Sequence, residues 1–177
     1  MEKTKLLLHC CCGSCATHVI ERLSSYFDIE LYYSNSNISP EEEYNLRLED
    51  LKKIAKHYGL PLHVSEYNHD NWLSLVRGFE NEAEGGKRCG LCFRYRLEDT
   101  AKKAKELGMD VFATTLTISP HKDSLTINQT GKYTALKNKI DYLVSDFKKN
   151  NGFKKSVELS KKHNLHRQNY CGCEFSQ

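Results

Sequence analysis

Apolar positions along the chain follow two periods in alternation, one suited to strands and one to helices. Lys5–His9 is a short apolar run that leads into CCGSC, and Ala16–Phe27 behind it is amphipathic. That pattern predicts a strand, a glycine turn and a helix. Ile29–Tyr33, rich in β-branched and aromatic residues, predicts a second strand. Ser39-Pro40-Glu41-Glu42 has the form of a helix start, with serine as the cap, proline at the first helical position and glutamate three residues after the cap. Tyr44, Leu48, Leu51, Ile54 and Tyr58 then recur at helical spacing until Gly59. Pro61–Glu66 predicts a third strand, and Asp70 is placed to cap a short helix holding Trp72, Leu75 and Val76. A charged, glycine-containing loop from Asn81 to Lys87 leads to Cys89, after which Leu97, Ala101, Ala104 and Leu107 keep helical period to Gly108. Asp110–Leu116 and Asp141–Ser145 predict strands on either side of a helix over Ser124–Lys137.

Strands alternating with helices of ten or more residues imply an α/β fold, a mostly parallel sheet flanked by helices on both faces. Ligands of such sheets sit beyond the carboxyl ends of the strands, the position that CCGSC takes after the first strand. With no internal repeat and no linker composition, residues 1–177 read as a single domain.

Composition narrows the class. The 177 residues are 39% hydrophobic and 28% charged, with only 3 prolines, which excludes collagen-like and disordered chains. The longest uncharged stretch, Leu6–Ile20, carries His9, His18 and four cysteines, too polar and too short to span a bilayer. A soluble, cytoplasmic protein without a membrane partner is expected. The net charge of +3 conceals an asymmetry, because residues 1–88 hold 10 Lys/Arg against 14 Asp/Glu and residues 89–177 hold 16 against 9. A basic C-terminal half suits a polyanion such as nucleic acid.

The eight cysteines fall into three groups: Cys10, Cys11, Cys12 and Cys15; Cys89 and Cys92; Cys171 and Cys173. Two C-x-x-C spacings and one C-x-C let neighbouring thiolates reach a common metal, and thiolates are soft ligands for zinc and for iron–sulfur clusters. A single zinc would use only four of them, so two metal centres, or a cubane with a further iron, fit the supply better. The histidines are scattered without a His-Glu-x-x-His pattern, and there is neither a GxxxxGK[ST] nor a GxGxxG phosphate loop. A zinc-stabilised RNA-binding module without catalysis and an iron–sulfur tRNA thiolase remain alternatives, the second weakened because CCGSC occupies the place of a thiolase phosphate loop.

HCCCGSC, SNISPEEEYNLRLEDL, EGGKRCGLCFRYRL, TTLTISPHKDS and DFKKNNGFKKSVELSKKHNLHRQNYCGC occur in this order from His9 to Cys173. Together they resemble the cobalamin-independent epoxyqueuosine reductases, the QueH family. The resemblance implies an adenine-nucleotide alpha hydrolase-like (HUP-like) sheet and reduction of epoxyqueuosine to queuosine, the final step of queuosine biosynthesis. Its substrate would be the wobble base of tRNAs with a GUN anticodon, those for Tyr, His, Asn and Asp. It also implies a 4Fe–4S cluster with an additional mononuclear iron, held by Cys11, Cys12, Cys15, Cys89, Cys92, Cys171 and Cys173, and an external low-potential electron donor. Cys10 lies outside the pattern, and Ser14 stands where the family usually has proline. Loss of the epoxide oxygen as water needs an acid, for which His121, Lys122 and Asp123 are the candidates. Arg94, Arg96, Lys154, Lys155 and Arg167 are candidates for tRNA phosphates, and Tyr170 for stacking on the base.

Overall fold

The computed structural model describes residues 3–176. Five strands, β1 (Thr4–His9), β2 (Phe27–Tyr33), β3 (Leu62–Val64), β4 (Val111–Thr114) and β5 (Asp141–Tyr142), form one sheet in the order β3-β2-β1-β4-β5. Every pairing is parallel, with Leu8 opposite Leu31 and Leu6 opposite Val111. Six helices accompany them: α1 (Gly13–Leu23), α2 (Glu41–Tyr58), α3 (His69–Val76), α4 (Lys87–Glu106), α5 (Ser124–Asn138) and α6 (Gly152–Lys162). The sheet is buried on both faces, as its apolar strands require. Leu6, Leu8, Ile29, Leu31 and Tyr33 pack against α1 and α2, while Leu7, Tyr32 and Phe112 pack against α4 and α5. Among the described residues no helix is long and apolar enough to cross a membrane.

The order reverses between β1 and β4, and the chains leaving these two strands diverge to open a crevice. β1 delivers Cys11 and Cys12 to that crevice, and β4 delivers Thr115. Several local expectations change. CCGSC is not a free turn: Gly13 is the first residue of α1, and a Cβ there would lie 2.8 Å from the backbone carbon of Asp50. The glycine is required for close approach of α1 to α2. Ser39 does not cap α2; Pro40 holds the cap position behind a cis Ser39-Pro40 bond, and no side chain caps the helix. Ser39 instead binds the C-terminal segment, its N–H donating to Gly172 O at 2.8 Å and its carbonyl accepting from the Tyr170 hydroxyl at 2.8 Å. Asn68, not Asp70, caps α3. Gly59 ends α2 at φ 65°, in the left-handed region that suits glycine.

The basic tail, for which the pattern assigned no element, folds over Gly152–Lys162 into α6, which packs on α1. Its buried residues are Gly152, Ser156 and Ser160. Small residues let the helices approach closely but leave no apolar stripe to read in the sequence.

Candidate metal centre

The N-terminal turn of α1 collects the first thiols. The Sγ atoms of Cys11, Cys12 and Cys15 lie within 4.8 Å of one another, and among the described residues they form the one such group of three or more metal-ligating side chains. Donors surround them. Cys12 Sγ accepts from the Cys15 N–H at 3.3 Å and from the Gln168 side-chain amide at 3.4 Å, and the Thr115 hydroxyl donates to Cys11 Sγ at 3.4 Å. Hydrogen bonding with the Cys12 and Cys15 thiols, supported by Arg96 and Thr115, outweighs burial and holds the Cys11 thiol well below its ordinary pKa. The contact with Cys11 pushes Cys12 up to about 12, and the contacts with Cys11 and Cys12 push Cys15 up. Cys10 faces away into the core, its thiol donating to Leu8 O at 3.4 Å. His9 is also buried; its Nε2–H donates to Ser34 O at 3.1 Å, so Nδ1 accepts from the Thr114 hydroxyl at 2.9 Å. Burial and Arg96 lower it to about 3, which leaves the ring neutral.

The other four cysteines come from α4 and the C-terminal segment. Cys92 and Cys173 are buried with Trp72 and Val76. The Gly85 N–H donates to Cys89 Sγ at 3.2 Å. Burial raises the Cys89 and Cys92 thiols, Cys92 to about 11, and the neighbouring Cys171 and Cys173 add to the rise at both. Cys171 also lines a cavity of about 330 Å³ with Cys11 and Cys15, so the C-terminal segment stands between the two other cysteine groups.

Two buried arginines that the sequence reading did not single out fasten this segment. Arg47 on α2 pairs with Glu43 at 2.7 Å, donates to Cys171 O at 2.9 Å and lies 5.3 Å over the Tyr170 ring. Arg88 on α4 donates to the carbonyls of Glu80 and Glu82 and, at 3.5 Å, to Phe175 O. Asp50 accepts from the His166 N–H at 2.5 Å. A charged residue at a core-facing position of a helical stripe, as Arg47 and Asp50 are in α2, is the signal that marks them.

The remaining candidates divide by place. Lys122, His121, Arg96, Arg167 and Tyr170 line the cavity. Lys122 is half-buried; burial would depress its amine, but the neighbouring Cys171, Cys11 and Cys15 hold its pKa above the usual lysine value. His121 is exposed at the rim. Asp123 is not part of the lining: it caps α5, accepting from the Thr126 hydroxyl at 2.5 Å, Thr126 N at 2.9 Å and Leu125 N at 3.2 Å, and those bonds, the hydroxyl's first, lower its carboxyl pKa. Arg94 also lies away from the cavity, paired with Glu98 at 3.3 Å and 5.2 Å over Tyr133. Arg96 is 2% exposed, too buried to reach a phosphate outside the cavity. Lys154 and Lys155 project from α6 into solvent, and Arg167 donates to Ser160 Oγ at 3.2 Å beside them.

The donor set suits a thiolate-bound group. Three buried N–H donors, Trp72 Nε1, Arg88 Nε and Arg96 Nε, have no hydrogen-bond partner, and the side chains of Trp72 and Arg96 are set beside cysteines. Seven soft ligands together with unpaired N–H groups match an anionic, sulfur-rich centre.

The family described as Epoxyqueuosine reductase QueH matches residues 6–177. The chain belongs to this family. Relatives carrying that name are 42% identical in Streptococcus pyogenes serotype M1, over 98% of this chain and 71% of that one, and 35% identical in Thermotoga maritima, over 97% and 89%. Members of the QueH family are oxidoreductases, and this chain is one of those enzymes. Among solved structures it is similar to the U34-tRNA thiolase NcsA from Methanococcus maripaludis, with a TM-score of 0.62 and 12% identity, covering 100% of this chain and 62% of that one. A predicted subunit of tRNA methyltransferase from Methanocaldococcus jannaschii gives 0.57 at 15% identity, over 88% and 74%. These two likenesses establish the fold, the parallel HUP-like arrangement expected from the family resemblance.

Proposed function

We propose that this chain reduces epoxyqueuosine to queuosine at the wobble position of tRNAs with a GUN anticodon, using a 4Fe–4S cluster and an adjacent iron. The observation that carries the reading is that Cys11 and Cys15 from the turn after β1 and Cys171 from the C-terminal segment line one cavity at the switch point of the sheet, while Cys173 of the same segment packs with Cys92 of α4. Its volume, about 330 Å³, is in the range of small-molecule sites and suits one splayed-out base. Cys11, Cys12 and Cys15, with Cys89, Cys92, Cys171 and Cys173, would hold the metals. When bound, the cluster supplies electrons and the second iron a Lewis-acid site.

The reaction replaces an epoxide by an alkene, so it consumes two electrons and two protons and releases the oxygen as water. An external low-potential donor supplies the electrons. Lys122 holds its proton against the cavity wall and offers it to the departing oxygen; His121 stands at the rim, where protons are replenished from solvent. Tyr170 presents a ring for stacking, and Lys154, Lys155 and Arg167 line the approach on the α6 side for anticodon-stem phosphates.

The test is iron, zinc and acid-labile sulfide per chain on protein prepared without oxygen, followed by conversion of epoxyqueuosine-containing tRNA. More than about four irons with roughly four sulfides, and conversion on adding reductant, are expected. Stoichiometric zinc without sulfide and no conversion would leave the zinc-stabilised RNA-binding module.

A further inference from the structure

Arg47, Arg88 and Arg96 are among the largest fully buried or nearly buried side chains of the protein. A buried guanidinium is tolerated when anions or carbonyls answer its charge. Arg47 has a carboxylate and two carbonyls, and Arg88 has four carbonyls. Arg96 has neither. Its hydrogen-bond partner is the neutral Asn35 side-chain oxygen at 2.5 Å, its Nε, like that of Arg88, is unpartnered, and among the described residues no carboxylate pairs with it. Asn35 is fully buried and is held in that orientation because its own NH2 group donates to Cys10 O at 2.9 Å.

Two facts show what Arg96 faces. It follows Cys89 and Cys92 on α4 at i+7 and i+4, which places all three on one side of the helix. It also lines the cavity together with Cys11, Cys15 and Cys171. The guanidinium therefore stands between cysteine groups from separate segments, with its charge unanswered by any carboxylate.

We propose that Arg96 is the internal counter-ion of the cysteine centre, a positioning residue whose full positive charge is balanced by the thiolate-bound metals themselves. This rests on the reading that these cysteines hold the cluster. A neutral amide rather than a carboxylate at position 35 keeps the charge directed at the thiols. The consequence is a centre that accepts an electron more readily than the same ligands would without the arginine.

The experiment is a redox titration followed by electron paramagnetic resonance, on anaerobic protein with iron and sulfide content matched between variants. Arg96→Met is expected to shift the midpoint potential negative by about 59 mV or more, a tenfold change in a one-electron reduction constant. Arg96→Lys is expected to stay near wild type. Asn35→Asp neutralises the guanidinium in place and is expected to shift the potential in the same direction as Arg96→Met. Asn35→Leu removes the hydrogen bonds to Arg96 and to Cys10 O without adding charge and is expected to leave it near wild type. Where Arg96→Met fails to retain the cluster, the two Asn35 variants decide. Potentials that do not move in Arg96→Met or Asn35→Asp, or that move equally in Asn35→Asp and Asn35→Leu, overturn the counter-ion role. A wild-type protein holding neither iron nor sulfide would overturn the functional reading itself, and is recognised before any variant is compared.

Discussion

A single amine carries much of the proposed chemistry. Lys122 is half-buried beside three cysteines, and they favour its charged form. As the acid in the cavity it is expected to contribute about 10²–10⁴-fold to turnover. Lys122→Met should lower kcat by that factor with iron content unchanged. Lys122→Arg restores the charge but not a readily released proton, and is expected to remain slow. Single-turnover conversion of tRNA by metal-matched protein makes the comparison, and a fast Lys122→Arg enzyme would show that charge alone is needed there. Asp123 was equally legible in the motif SPHKDS, yet its carboxylate is committed to the first turn of α5. A motif names adjacent residues, whereas the backbone decides which of them point inward.

At the level of elements, strands and helices were legible where the buried face is apolar. The stripe Tyr44, Leu48, Leu51 and Ile54 identifies α2 because each packs into the core. It gave no sign that Arg47 and Asp50, on the same side, reach across to the C-terminal segment. Ser39 and Pro40 were misread for a related reason: a capping pattern is local, and the Ser39 backbone is claimed by Gly172 and Tyr170, more than 120 residues away. α6 escaped notice because it buries glycine and serines. The strap formed by Arg47 gives a testable prediction. Arg47→Met strips the charged hydrogen bonds from Cys171 O and Tyr170 O and leaves the half-buried Glu43 carboxylate with His166 alone, and should destabilise the fold by about 2 kcal/mol. The C-terminal segment should become the first site of proteolytic cleavage, and its two cysteines should react faster with alkylating reagents. Unchanged protection would mean that Arg88 and Asp50 suffice.

For the whole molecule, the acidic and basic halves of the sequence acquire a direction. Lys154, Lys155 and Arg167 lie at or beside α6, whose Phe153 and Ser156 also border the cavity, so the basic surface adjoins the opening rather than the far side of the sheet. Reversing Lys154 and Lys155 to glutamate is expected to weaken tRNA binding at low salt and to flatten the salt dependence by roughly one to two units of log–log slope. Iron content should not change. Binding isotherms across a salt series test this, and an unaltered slope would place the phosphate contacts elsewhere.

The fastening of Cys171 and Cys173 to α2 and α4 has one more consequence. The thiols come from residues 11–15, 89–92 and 171–173, so no contiguous fragment of the sheet contains the full set. A metal bound across them would tie together segments separated by most of the chain, and its binding energy would add to the stability of the whole fold. Assembly of the centre would then act as a proofreading step. A molecule misfolded anywhere along that span would offer an incomplete set of ligands, and would be marked by the metal it fails to hold.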